Sequence, residues 1–538
     1  MACFRRNNNK IYIAFLLFNI VSVLYVRSKI SEPESVLKIK NECRPKELET
    51  KEQKLNALEQ NVIISNMEQN NNNNNKDNIG SVTLATASSK SFTENKEQSQ
   101  NSQPIKAPNR HTEKHVGSSV LQSTTYTDAL KEVVSPDGIV LLALVDEGFV
   151  DMTINFYLTC LKPHNIENYL ILTMHESTCK NLAGYPIKCV QYTSNVAGNA
   201  KASNFGSQQF ISKMNIRTDM IIDALKLNIS VLHSDIDVTY YKNPFDYLNC
   251  PRSHCHLAPL KDNKALNAGF LLVHPQALPV YEHMRQLAKD NPKMNDQEQL
   301  NKAVKTQKEK DEHFRLNVLP IQQFQCGKHF YQNKNKKRYF ADTMTPCPEC
   351  VVVHNNWIVT MAAKVYRAKE VHQWMNDEKQ YYTSTTRKYI TYDNSPEANQ
   401  TKPQQLETLK MAIIISKILN RTLILPKFYC ESNQECALNS LLKVELFDRA
   451  FGPQYREHSF MTHPLVPQSV KKSIYHAATD NKVIRMKDIM KLYSSITDSV
   501  LKLEPMYDRI EFTTKTESRN YMGRVQAGFK RSDYMQAN

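Results

Sequence analysis

The chain has 538 residues, with 69 Lys and Arg against 54 Asp and Glu, for a formal charge of +15. Its 12 glycines and 23 prolines exclude a collagen-like or glycine-rich chain. The absence of G-x-x-x-x-G-K-[ST] and of G-x-G-x-x-G argues against a P-loop ATPase or a standard dinucleotide fold.

Residues 1–10 carry Arg5, Arg6 and Lys10 and no acid, and residues 11–26 (IYIAFLLFNIVSVLYV) carry no charge. An apolar run of this kind crosses lipid only as a helix. The positive charge before it predicts a cytosolic N-terminus and a lumenal remainder. A cleaved signal peptide shares this layout, but Val26-Arg27-Ser28-Lys29 offers no small-residue cleavage site, which favours an uncleaved signal-anchor. Residues 28–125 are polar, include the run Asn70–Asn75, and read as a disordered stem with room for a short helix around 46–59. Of the 12 cysteines, Cys3 and Cys43 precede the globular part. The others suit up to five bridges in an oxidising lumen. Cys347-Pro-Glu-Cys350 lacks both a second ligand pair and a thioredoxin-like context, so a structural disulfide is expected there. Sequons stand at Asn228, Asn399 and Asn420.

From Tyr126 onward strand-like and helix-like segments alternate. Ile139–Val145 is a continuous apolar run, as in a strand buried on both faces. A helix near 152–161, a strand at 169–174 and a third strand at 187–192 follow. The amphipathic stretch 205–227 is a helix leading into a fourth strand at 230–233. Such alternation implies a mainly parallel α/β sheet flanked by helices, with ligands beyond the carboxyl ends of its strands. A composition change near 379–388 marks a boundary between a catalytic domain at 126–385 and an accessory module at 386–538, smaller and of α/β or mixed type. In that module 388–393 and 422–425 are strand-like, 403–419 is helical, and the tail beyond about Phe512 has little periodicity and is expected to be loosely ordered.

The sharpest feature is Val231-Leu-His-Ser-Asp235-Ile-Asp237-Val-Thr239, followed by Asn243-Pro244. Two carboxylates one residue apart, just past a buried strand, can approach one hard divalent cation such as Mn²⁺ or Mg²⁺. That cation would neutralise charge developing on a diphosphate leaving group. The same residues match the D-x-D-x-T pattern of aspartyl phosphatases, but about ninety residues of α/β pattern precede them and no later acidic motif appears. Further along, the segment 266–275 (LNAGFLLVHP) reads as a strand opened by a polar, small-residue turn, which would let backbone and the Asn267 amide approach a sugar ring. Asp296-Gln297 opens an amphipathic helix, with Leu300, Ala303 and Val304 inward. Val351–His354 is a strand ending in a histidine, and the helix beyond it carries Lys364 and Arg367. A neutral imidazole serves as a third ligand, and two cations one turn apart suit a diphosphate.

In this order (D-x-D with Asn-Pro, Asn-Ala-Gly-Phe, Asp-Gln, His-Asn-Asn with Lys and Arg) the chain resembles the nucleotide-diphospho-sugar transferase domain of glycosyltransferase family 77 over roughly residues 126–380. A weaker likeness to the carboxy-terminal extension of its arabinosyltransferase-like members covers Leu419–Lys427, Cys430 and Arg456–Phe460. The resemblance implies a GT-A fold, a metal-dependent donor site and retention of anomeric configuration. It implies Asp235, Asp237 and His354 as metal ligands, and Asn267, Gly269, Asp296 and Gln297 around the donor sugar. Lys364 and Arg367 would hold the diphosphate, and Arg217 lies about where the family carries a lysine in the helix before the D-x-D. Asp296 and Gln297 are the catalytic candidates, with Asp296 available for a double displacement; a front-face route, in which the leaving phosphate oxygen takes the acceptor proton, fits the sequence equally.

These readings describe a type II membrane glycosyltransferase of the Golgi (or ER). Its donor would be a nucleoside-diphosphate sugar such as a UDP-sugar, and its acceptor a glycan or glycoprotein. The alternative is a membrane-tethered glycan-binding protein that keeps the fold without turnover. The basic run Lys334–Arg338 comes without any finger, helix-turn-helix or RNP signature, so no nucleic-acid partner is expected.

Overall fold

The structure, a computed structural model, describes residues 121–193, 207–332, 347–394, 400–430, 435–436, 438–478, 483–504 and 509–532. They lie in one compact unit, 112–538. The expected cytosolic tail, signal-anchor, nearly all of the stem, Asn399 and the basic run 334–338 fall outside the described residues. Among the described residues no helix is long and apolar enough to cross a membrane.

The first half of the unit is built on β1 (Ile139–Val145), β2 (Tyr169–Thr173), β3 (Cys189–Gln191), β4 (Ser230–Ser234), β5 (Val238–Tyr240), β6 (Leu257–Asp262), β7 (Ala265–Val273), β8 (Phe324–Cys326) and β9 (Val352–His354). Six of these form one sheet in the order β3-β2-β1-β4-β7-β6. The first four run parallel, whereas β7 is antiparallel to β4 and β6 antiparallel to β7. The sheet is therefore mixed, a parallel α/β half closed by a hairpin. The inner residues of β1 and β2 are buried, as their unbroken apolar runs predict. The helix Gln208–Lys226 covers one face with Ile216, Met220, Ile221 and Leu225, and the helices Leu278–Asp290 and Asp296–Lys310 pack beside it. A small second sheet, β5-β9-β8, lies just past the carboxyl end of β4.

The second half is organised on β10 (Tyr389–Tyr392), β11 (Thr422–Ile424), the hairpin β12 (Phe428–Tyr429) with β13 (Glu435–Cys436), β14 (Tyr455–Arg456), β15 (Ile474–Ala478), β16 (Val483–Arg485), β17 (Val500–Glu504) and β18 (Arg509–Glu511). Five of them make a wholly parallel sheet, β14-β11-β10-β17-β15. The module is thus α/β. The helix Lys402–Ile418 crosses over between β10 and β11, started by a capping box of Thr401 with Gln404.

The strand expected at 266–275 is present as β7 (Ala265–Val273), opened by a turn in which Asn263 adopts a φ of 54°. One expectation is corrected. The segment beyond Phe512 is not loose, because Lys515–Ser532 is a helix. Its Val525 and Phe529 are buried, with Phe529 set against Phe447 and Phe451 at ring separations of 5.8 and 5.6 Å. Only a few positions of that helix are apolar, which hid its period.

Four disulfides join Cys179–Cys189, Cys250–Cys255, Cys347–Cys350 and Cys430–Cys436. The bridge within Cys-x-x-Cys agrees with the structural reading, while Cys160 and Cys326 are buried free thiols instead of a fifth bridge. Asn228 and Asn420 sit exposed at left-handed turn positions, with φ of 61° and 51°.

Phe529→Ala empties a well-packed aromatic cluster and should lower stability by about 3–5 kcal/mol, read by urea unfolding. An unchanged midpoint would mean that this helix does not belong to the core.

Candidate active site and metal centre

Beyond the carboxyl end of β4 the chain leaves Ser234 through Asp235, Ile236 and Asp237 into β5. Pairing of Val238 with His354 across β5 and β9 brings the distant histidine beside the D-x-D. Ligand atoms of Asp235, Asp237 and His354 all fall within 4.8 Å of one another. His354 Nε2 stands 3.3 Å from Asp237 Oδ1 and 3.6 Å from Asp235 Oδ2.

The tautomer of His354 follows from its other nitrogen. Asn267 Oδ1 accepts the backbone N–H groups of Gly269 and Phe270 at 2.9 and 3.1 Å, which fixes the amide orientation. His354 Nδ1, 3.1 Å from that oxygen, must therefore donate. In the neutral ring the lone pair of Nε2 then faces the two carboxylates, the arrangement metal-binding imidazoles use.

Charge in the cluster is set by its neighbours. Burial opposes ionisation of Asp235, but the Arg217 guanidinium, donating at 2.6 Å, holds its carboxyl well below the usual range. Asp237 is likewise held down against burial by Lys364, whose Nζ donates to Oδ2 at 2.5 Å, and by His354. Burial alone would lower the His354 pKa, yet the Asp237 carboxylate reverses this and raises it. The pair of carboxylates thus demands a positive charge between them. Oxygen donors from two acids and one aimed imidazole nitrogen fit Mn²⁺ or Mg²⁺ chemically.

Arg217 also reaches Asp296 through Nη2, and its Nη1 lies 3.0 Å from His233 Nε2. A guanidinium can only donate, so His233 accepts and is neutral; burial and then Arg217 push its pKa down to about 4. One buried arginine therefore ties the D-x-D to the first residue of the helix Asp296–Lys310, whose start Asn295 caps by accepting Glu298 N–H at 3.0 Å. Gln297 turns into the same space. Its Oε1 lies 3.2 Å from Asn267 Nδ2 and its Nε2 3.3 Å from Asp262 Oδ2.

Gly269 has a steric reason to be glycine. A Cβ there would fall on Asp235 Oδ2 and on His354 Cε1, both inside van der Waals contact. Arg367 is buried with its guanidinium over the Tyr331 ring, 4.0 Å from the centroid, and donates to Asn355 Oδ1 at 3.2 Å and to Asn356 O at 3.3 Å. It holds the Asn355-Asn356 loop, while Lys364 faces the acids. The structure accordingly gathers Asp235, Asp237, His354, Asn267, Gly269, Arg217, Asp296, Gln297 and Lys364 around one spot, with Arg367 in the wall behind.

Three groups escaped the sequence reading. Asp262, buried at the end of β6, accepts from Asn356 Nδ2 at 3.2 Å, Trp357 Nε1 at 2.5 Å, Gln297 Nε2 at 3.3 Å and Asn267 Nδ2 at 3.4 Å. It is the anchor of the site's far wall. Lys213 pairs at 2.7 Å with Asp146, which ends β1, and both are buried. The spacing of Lys213 and Arg217, one turn apart on the helix before the D-x-D, was the available signal for that pair. No sequence pattern marked Asp262, because its four partners come from three separate segments.

A family profile described as nucleotide-diphospho-sugar transferase matches residues 164–368, which include every ligand named above. Two curated relatives from Arabidopsis thaliana are similar: UDP-D-xylose:L-fucose alpha-1,3-D-xylosyltransferase 3, 25% identical over 33% of this chain and 51% of its own, and UDP-D-xylose:L-fucose alpha-1,3-D-xylosyltransferase MGP4, 24% identical over 33% and 53%. The chain therefore spans about half the length of these relatives. Among solved structures, the glycosyltransferase GlyE of Streptococcus pneumoniae TIGR4 is similar at 13% identity and TM-score 0.29, covering 72% of this chain and 99% of its own. Mouse xyloside xylosyltransferase 1 is similar at 11% and 0.25, covering 41% and 99%. Superpositions this loose assign no role to any residue. The profile match and the Asp-Asp-His cluster together define a GT-A-type nucleotide-sugar glycosyltransferase domain with a divalent-cation site.

Gly269→Ala should weaken Mn²⁺ binding at least about tenfold with far-UV circular dichroism unchanged, since the methyl displaces two ligands while β7 persists. Asp262→Ala removes the shared acceptor of four donors, of which Asn267 is buried, and should lower stability by about 1–3 kcal/mol; calorimetry checks both.

Proposed function

We propose that this protein is a retaining, metal-dependent glycosyltransferase that moves a sugar from a nucleoside-diphosphate donor, in the first instance a UDP-sugar, to a glycan or glycoprotein acceptor. The observation that carries the reading is the convergence of Asp235, Asp237 and an oriented His354 beside Lys364 Nζ. A UDP donor is supported by the xylosyltransferase relatives, whose names specify UDP-D-xylose. A place in the lumen of the Golgi or ER, behind a type II signal-anchor at 11–26, is supported by the basic-then-apolar N-terminus and by the four disulfides. The proposed division into a catalytic domain at 126–385 and an accessory module at 386–538 is supported by the presence of two separate sheets, one mixed and one parallel.

When bound, Mn²⁺ or Mg²⁺ supplies Lewis-acid stabilisation of the diphosphate as it leaves. The chain's own residues supply the rest. Lys364 offers a second positive charge at the same place, preorganised by Asp237 and so costing little reorganisation. Asn267, Gln297 and the small Gly269 shape the floor on which the donor sugar rests. Asp296 is paired with and oriented by Arg217, which also holds Asp235, so it stands beside the D-x-D where it could stabilise positive charge building on the anomeric carbon or attack it. Arg367 positions the Asn355-Asn356 loop.

The test is turnover of UDP- and GDP-sugars by the full-length protein in detergent, with Mn²⁺ and with chelator. Metal-dependent donor hydrolysis or transfer is expected. Asp237→Ala should abolish it, and Lys364→Met should reduce it by about 100-fold or more, the size typical of losing one preorganised charge. An active Asp237→Ala protein would sink the metal assignment.

A further inference from the structure

A cavity of about 200 Å³, distinct from the cation cluster, opens between the turn after β1, the helix Met361–Glu370 and the segment leading to the second sheet. Its polar and aromatic lining is Asp151, Lys369, Trp374, Asn376, Glu378 and Tyr381. Lys369 and Lys364 share one helix, five residues and about 7.5 Å of rise apart. The cavity therefore neighbours the donor site along a rigid element.

We propose that this cavity is a subsite for one neutral sugar ring of the acceptor glycan, gripped by Lys369 and Asp151 between the Trp374 and Tyr381 walls. This rests on the glycosyltransferase reading for the word acceptor; the saccharide chemistry stands on the cavity itself.

Lys369 is the first reason. Its Nζ lies 3.7 Å from the Tyr381 ring centroid and 6.0 Å from that of Trp374, and among the described residues it makes no hydrogen bond or ion pair. Burial pushes its pKa down to about 8. Cation–π contact compensates only part of an ammonium's lost hydration, and its three donors still seek acceptors. Ring hydroxyls supply them.

The charge balance is the second reason. Asp151 and Glu378 face the same space as the Lys369 ammonium, and Glu378 is already paired with Lys379 at 2.9 Å, so Lys369 and Asp151 leave no net positive charge to hold a phosphate. A hydroxyl-rich neutral ring instead finds acceptors in the acids and a donor in the lysine. Asn376 Nδ2 sits 3.4 Å from Asp151 Oδ1, which leaves the other carboxylate oxygen for a ligand hydroxyl. The C–H groups of a pyranose suit the apolar side formed by Met152, Met361 and Val365.

The third reason is where the wall is anchored. Tyr381 donates its hydroxyl to Glu457 Oε2 at 2.6 Å, and Arg456 lies over the same ring at 3.9 Å. Two cations within 4 Å of one centroid must occupy opposite faces, so Tyr381 is clamped between Lys369 and Arg456. Arg456 belongs to β14, and the second module thus fixes one side of the subsite.

The experiment is saturation-transfer NMR on the full-length protein with methyl glycosides of galactose, glucose, mannose, fucose and xylose, alongside calorimetry with Mn²⁺ and UDP. At least one glycoside should bind, and Lys369→Met and Asp151→Asn should each weaken it by about tenfold, the worth of one good polar contact. Mn²⁺-dependent UDP binding should stay within about twofold, which also reports an intact fold. Glycoside binding indifferent to both variants, or no glycoside binding, overturns the subsite. So does a Lys369→Met loss of UDP affinity, which would give the cavity to the nucleotide. Failure of the wild type to bind UDP or GDP with Mn²⁺ would instead count against the glycosyltransferase reading, and Lys369-dependent glycoside binding would then remain as a saccharide site.

Discussion

Two carboxylates placed one residue apart in a largely buried crevice repel each other and lose hydration, and most of the first domain's architecture answers that cost. Positive charge approaches from several directions at once: Arg217 reaches only Asp235 of the two acids, Lys364 only Asp237, and His354 stands between them. Arg217 comes from the long helix in front of β4, Lys364 from the helix after β9, and His354 from β9 itself. Asp296 is drawn in as the second carboxylate of Arg217. The cluster is therefore a meeting point of charged side chains that compensate one another only when every element is in place.

The hairpin that makes the sheet mixed belongs to the same logic. β7 runs antiparallel beside β4, and Asp235 N–H bonds Gly269 O at 2.7 Å, so the strand passes directly under the carboxylates. A side chain at Gly269 would displace them. Two residues earlier, Asn267 spends its oxygen on the backbone and on His354, and its amide on Asp262 and Gln297. A single strand thereby clears space for a cation, orients its imidazole ligand and carries the far wall.

The second module takes part through the helix Met361–Glu370. Ala363 and Tyr366 are buried in that module's own apolar core, whereas Lys364, between them, faces Asp237. Ser459 Oγ donates to Lys369 O at 3.2 Å, and Leu438 N–H reaches Glu370 Oε1 at 3.4 Å. Lys364 is thus mounted on an element that packs on the second module while facing Asp237, which limits its freedom and ties the two halves of the unit together.

Much of this was legible along the chain. Unbroken apolar runs located β1 and β2, helical periodicity located the long helix before β4, and the order of short motifs pointed to Asp235, Asp237 and His354, which the fold brings together. Those features are local, carried by neighbouring residues through backbone preference and solvent exclusion. The tail helix escaped because so few of its positions are apolar. What only the tertiary structure decided was the partnership of groups far apart in sequence: the Asp262 hub, the Lys213–Asp146 pair, the tautomer of His354 and the clamp on Tyr381. Hydrogen bonds and charge compensation act over a few ångströms in space, and the chain order carries no record of which distant segments will come that close.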